Sequence, residues 1–255
     1  MCNKINITPK LTIEGEDRTL GAVLLGAPSS RKRESVMLPM IQQDIQSKPM
    51  MGVAVFDTDG IPTQAAARCA RESGRPYVLL DPRMEWCPFF NPLIGDENEV
   101  FEDLRTVVSE YLPDLSPSLR ALNESLLSNA IKVLKRLDKA EGVNGRYATF
   151  INMNTVLQNP SQDGRKLVIR FGQLKGETDA EQKENSDIAS WFINEYYAER
   201  SKPFEQTACL RLLLGKLISE PHLRTVLNPD FDKGQVSEVD FDRLVSDNCI
   251  ICVSA

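Results

Sequence analysis

Gly26 and Lys32 stand six positions apart, the separation at which a phosphate-binding loop, G-x-x-x-x-G-K-[ST], places its first glycine and its lysine. The chemistry of such a loop is phosphate binding. Glycines let backbone N–H groups wrap the anion, the lysine reaches the terminal phosphates, and the hydroxyl residue holds the bridging metal. In residues 21–39, GAVLLGAPSSRKRESVMLP, Arg31 stands where the second glycine belongs and Arg33 where the hydroxyl belongs. Arg31 can still meet a phosphate as a charged fork, but not through the same backbone cradle. Arg33 cannot ligate a cation and puts positive charge where magnesium would sit. Ser30 and Ser35 flank the lysine near a helix start, where a hydroxyl suits an anion or caps the helix. The candidate phosphate-binding set is therefore Gly26, Ser30, Arg31, Lys32 and Ser35. The cofactor expectation is weak binding of ATP without magnesium.

Asp57 ends an apolar run and opens Asp57-Thr58-Asp59-Gly60. It is placed either to face a ligand from a strand end or to close the turn. Cys249-x-x-Cys252 has the spacing of a metal or redox pair. Within a continuous apolar run its members would face opposite sides of a strand, and no second pair exists, so two buried thiols are expected. His222 is the only histidine and has no nucleophile beside it in sequence. Trp191, Phe192, Tyr196 and Tyr197 have helical spacing and lack the interleaved basic residues of a base-stacking platform. No catalytic set and no metal ligands are assigned.

These residues need elements to hold them. Apolar runs at 22–25, 51–56, 77–80 and 249–253 read as strands, with helices over 35–47 and 62–73 between the first three. Such continuous runs separated by helices imply a parallel sheet covered on both faces. Ligand chemistry then belongs at the carboxyl ends of the strands, where Gly26, Asp57 and Asp81 fall. A proline-rich apolar loop, 86–95, leads into amphipathic stretches at 98–112, 119–138, 149–158, 188–198 and 207–219. Residues 173–187 are polar, poorly patterned and expected to form a loop. Strand texture returns after residue 230, with a short strand at 239–241, a helical turn at 242–246 and the run 249–253. The expected organisation is an α/β domain, 1–97 plus 230–255, interrupted by an inserted all-α domain, 98–229.

The 255 residues are 42% hydrophobic and carry a net charge of −6, so there is no global basic footprint for wrapping nucleic acid. No apolar run reaches the roughly 18 residues needed to cross a bilayer, and the first ten residues lack a signal-peptide core. A cytoplasmic chain is the expectation.

The order of segments resembles the cytosolic part of conjugative coupling proteins, the TraG/TraD-type ATPases of type IV secretion. A typical P-loop segment of that family, GATGSGKTTSVLLP, is similar to GAPSSRKRESVMLP here, with matches at Gly26, Ala27, Ser30, Lys32, Ser35, Val36, Leu38 and Pro39. The family's DPKG-like turn corresponds to Asp57-Thr58-Asp59-Gly60, its GRPVLLLDP to residues 74–82, and its FNPL to Phe90-Asn91-Pro92-Leu93. The resemblance implies a RecA-like P-loop NTPase sheet with an inserted all-α domain. It also implies coupling of DNA or protein substrates to a type IV secretion system. The implied partners are secretion or relaxosome proteins, with DNA reached through the parent assembly and the full-length protein an oligomer. With two fixed positions of the loop replaced and the family's acidic metal-site strand lying beyond position 255, an inactive ATPase is expected. The alternative is a non-catalytic interaction module derived from such an ATPase. Glu177, Asp179, Glu181 and Glu184 suggest an acidic surface on the helical part, suited to a basic protein partner.

Overall fold

The computed structural model describes residues 4–8, 10–27, 30–48, 50–158 and 162–254. The chain forms two compact units, Met1–Pro88 with Val239–Ala255, and Phe89–Glu238.

The first unit opens with an antiparallel ribbon, β1 (Ile5–Thr8) with β2 (Leu11–Ile13). A π-helical turn, Arg33–Met37, runs without a break into α1 (Leu38–Ile45), whose second residue is Pro39. Then come β3 (Val53–Asp57), α2 (Ile61–Glu72) and β4 (Tyr77–Leu80). The helices of the second unit are α3 (Glu97–Tyr111), α4 (Pro117–Glu141), α5 (Phe150–Leu157), α6 (Gln162–Gly172), α7 (Asp179–Trp191), α8 (Lys202–Gln206), α9 (Ala208–Ser219) and α10 (Pro221–Val226). The chain returns to the first unit through α11 (Phe241–Ser246) and β5 (Ile250–Ser254).

β3, β5 and β4 form a three-stranded parallel sheet in that order. Val53 pairs with Ile250 and Asp57 with Ser254 on one side, Tyr77 with Ile250 and Leu80 with Val253 on the other. One face carries Val55, Leu79, Ile250 and Cys252, packed with Ile45 of α1 and with Ala66, Ala67, Cys69 and Ala70 of α2. The small residues recur at helical spacing and let α2 lie close on the strands.

Buried Arg75 locks the opposite, amino-terminal end of the sheet. Its guanidinium donates to the carbonyls of Ile45 (2.7 Å), Met51 (2.6 Å) and Asn248 (2.8 Å), joining the end of α1 to the entries of β3 and β5.

Several sequence expectations need correction. Residues 22–25 are not a strand: Val23 and Leu25 are 82% and 90% exposed. An apolar run prefers the extended state, but only a ladder partner makes it a strand. Here β5 takes the place between β3 and β4, and no described strand pairs with the run. The sheet is not covered on both faces along β3, since Phe56, on the face away from α2, is 71% exposed. Residues 239–241 are not a strand; Asp240 instead caps α11 by accepting from the Arg243 amide at 3.0 Å.

The expected loop at 173–187 is largely α7. Thr178 caps it, accepting from the Glu181 amide at 3.1 Å. Glu184 and Glu181 meet Arg136 of α4, Glu184 also meets Lys132, and Glu177, just before the helix, meets Lys139. The polar pattern is thus a paired helix face, and three of the four acids expected to form a free acidic surface are neutralised by α4.

In the second unit α4 supplies the core spine, with Leu126, Leu127, Ile131, Leu134 and Leu137 buried against α5, α6 and the segment 192–197. Trp191, Phe192, Tyr196 and Tyr197 belong to this core as their spacing indicates, and the Tyr196 and Tyr197 hydroxyls donate to the Leu157 and Val156 carbonyls at the end of α5. Buried Asp138 orders the loop after α4 by accepting from the Gly145, Tyr147 and Ala148 amides. No helix among the described residues is long and apolar enough to cross a membrane.

Candidate functional site

The turn between Gly26 and the helix after it is closed by its own backbone and by its lysine. The Ser30 amide donates to the Ala27 carbonyl at 3.0 Å. The Lys32 ammonium folds back onto the Gly26 carbonyl at 3.1 Å and reaches that of Ala27 at 3.5 Å. Between them Arg31 has φ +51°, in the left-handed region that glycine enters freely and a side chain resists. The backbone therefore has the hand of a glycine turn at the very position where the phosphate-binding pattern carries glycine. Ser35 bonds back to the turn, its amide and hydroxyl both donating to the Arg31 carbonyl at 2.9 and 2.7 Å. Gly26 is set tightly against Ser30, because a Cβ there would lie 2.7 Å from the Ser30 hydroxyl. Pro28 and Ser29 lie outside the described residues.

This turn forms one side of a cleft of about 350 Å³ at the carboxyl end of β3. Lys32 and Arg33 line one wall, Asp57, Thr58 and Asp59 the other, with Leu24, Met37 and Phe56 as apolar surface between them. The Arg33 guanidinium crosses to Asp59 at 2.7 Å, both side chains remaining partly exposed.

Asp57 acts first as a structural residue. One oxygen accepts from the Gly60 amide (2.8 Å) and the Ser254 hydroxyl (2.7 Å), the other from the amide and hydroxyl of Thr63 (3.0 and 3.1 Å). Gly60, at φ +78°, makes the left-handed bend that aims the first amides of α2 at this carboxylate. Burial pushes the Asp57 carboxyl up, but the hydrogen bonds from Ser254, Thr63 and Gly60 outweigh it and hold it below the usual carboxylate range.

Asp81, buried one residue past β4, is held low chiefly by Arg83, whose guanidinium grips both its oxygens at 2.7 and 3.0 Å. The same Arg83 donates to the Ser254 hydroxyl at 2.6 Å. Asp57, Ser254, Arg83 and Asp81 thus form a continuous polar strap across the ends of all three strands. Only Asp57 and Asp81 stood out in the sequence; Arg83 and Ser254 enter because parallel register puts Ser254 opposite Asp57.

A magnesium ion, implied by the P-loop pattern, does not fit this set. Arg33 stands where a hydroxyl ligand is needed and is itself ion-paired, and each Asp57 oxygen already accepts two hydrogen bonds. Among the described residues no group of three or more His, Cys, Asp or Glu side chains is placed to hold a metal. Cys249 and Cys252 are buried free thiols, and burial raises the Cys252 thiol to about 12, so it is neutral near pH 7. His222 is exposed on α10, in the second unit.

No protein-family model and no curated protein sequence matches the chain. The class the structure defines is a mixed α/β protein with a small parallel sheet and a polar cleft at its carboxyl end.

Proposed function

We propose that this chain is a coupling-protein-like component of a conjugative DNA-transfer or type IV secretion system, its first unit derived from a RecA-like P-loop domain that binds phosphate without hydrolysing nucleotide. In this reading the helical unit is the family's inserted all-α domain. Its partners are secretion or relaxosome proteins, and DNA is met through the assembled, oligomeric complex.

The observation that carries the reading is the left-handed backbone of Arg31 between Gly26 and the helix-initiating Lys32. Arg200 and Asn248 also adopt left-handed backbone, so it is the position of Arg31, where the pattern carries glycine, that supports descent from a glycine-containing phosphate cradle. The segment order from residue 21 to residue 93 supports it. Deleting the reading frame in its own host, with transfer of conjugative DNA as the readout, tests the role. Transfer should fall and recover with the wild-type chain; unchanged transfer rejects the reading.

One observation favours a second reading, an interaction module without nucleotide. Leu20, Val23 and Leu25 are left exposed beside the turn. That reading expects transfer to depend on the chain but not on Lys32.

A further inference from the structure

The cleft at the end of β3 holds four charged side chains whose states differ. Asp57 is committed, each oxygen accepting two hydrogen bonds. Among the described residues, Lys32 is engaged by the carbonyls of its own turn. Arg33 and Asp59 hold each other at 2.7 Å across the cleft and are each more than a third exposed. An ion pair so exposed is worth little to stability, yet it sits where incoming negative charge would be met. A guanidinium fixed by one carboxylate at a cleft mouth is the geometry of a site in which a second oxyanion competes for the same fork.

Resting on the phosphate-site reading above, we infer that Arg33 replaces the metal in this cleft. The ligand is a phosphate group bound free of magnesium, and it takes Arg33 from Asp59. Lys32 supplies the second positive charge, and Asp59, once released, is solvated. Magnesium weakens binding, because it neutralises the phosphate and competes with Arg33 for the same oxygens. The bound phosphate is either inorganic or the terminal group of a nucleotide, and the apolar surface at Phe56 and Leu24 accepts a nucleoside only as an adjunct.

Calorimetric titration of the full chain with ATP, inorganic phosphate and adenosine, in EDTA and in magnesium, tests this. ATP should bind in EDTA, inorganic phosphate should displace it, and magnesium should weaken it by about threefold or more, the scale of a partly exposed charge pair. Asp59→Asn should tighten ATP about two- to fivefold by removing the competitor. Arg33→Met should weaken it roughly tenfold by removing a charge-assisted bond. Binding that requires magnesium, or an Asp59→Asn variant that binds no tighter, overturns the inference. If such binding is still lost in Lys32→Ala, the phosphate-site reading survives that failure. Adenosine binding as tightly as ATP, or no phosphate-dependent binding in either buffer, overturns both. Should Arg33→Met fold poorly, Asp59→Asn alone decides, since Asp59 is on the surface and its loss leaves the Asp57 network intact.

Discussion

Replacing Arg75 by methionine should loosen the whole parallel sheet from its amino-terminal end. Arg75 donates to three carbonyls, those of Ile45, Met51 and Asn248, at 2.6 to 2.8 Å. Methionine keeps much of the buried volume and removes every donor. Hydrogen bonds from a charged group contribute about 1.5–3 kcal/mol each, so the gross loss is roughly 5–9 kcal/mol. Part of that is returned, because the Arg75 Nε is buried with no hydrogen-bond partner, and relieving such a group recovers about 1–3 kcal/mol. A net loss of about 4 kcal/mol follows, a large share of the roughly 5–15 kcal/mol that holds a typical domain folded. Native-state hydrogen exchange reads this directly. Amides of β3 and β5 should lose about a thousandfold of their protection at tenfold per 1.4 kcal/mol. Protection within a factor of about three of the wild type would show that the guanidinium is not the clamp described here.

Other expectations follow from the strand-end chemistry. Arg31→Gly should raise stability by about 0.5–1 kcal/mol, since left-handed backbone costs a side chain about 1–2 kcal/mol and glycine gives back about 0.5–1 kcal/mol in chain entropy; a fall in melting temperature would contradict it. Asp57 and Asp81 both titrate below their ordinary range when folded. Their contribution is therefore present above the unfolded value of about 3.9 and is lost as pH falls through the lower folded values. Denaturant midpoints should drop on acidification below about pH 4, and Asp81→Asn should flatten that drop. An acid limb identical in the variant would mean the Arg83–Asp81 bond does not couple to folding.

Much of the local structure was legible because it rests on local signals. Residues 77–80 read as a strand and form one. α2 begins after Gly60 and ends before Gly74, as its proline and glycine flanks indicate. The misread elements are those decided by partners far away in sequence. Residues 22–25 have the composition of a buried strand, yet β5, more than 200 residues on, takes the central position. Residues 173–187 look like a solvated loop until Lys132, Arg136 and Lys139 of α4 are set opposite them, although Thr178-x-x-Glu181 was a readable capping signal. The site divides the same way. Gly26, Lys32 and Asp57 could be singled out by spacing. The Arg33–Asp59 bridge and the Ser254–Arg83 strap could not, because their members are joined by the fold alone.

The central claim, that the Gly26–Lys32 turn holds phosphate without turning it over, is tested most directly by the thermal stability of the full chain in millimolar ATP, alongside phosphate release. At about a hundred times its dissociation constant a ligand stabilises the folded state by roughly 2.7 kcal/mol. The account predicts a rise in melting temperature that is present in EDTA, absent in Lys32→Ala, and accompanied by no magnesium-dependent phosphate release above background. A rise that survives Lys32→Ala, or magnesium-dependent turnover that Lys32→Ala abolishes, would contradict it.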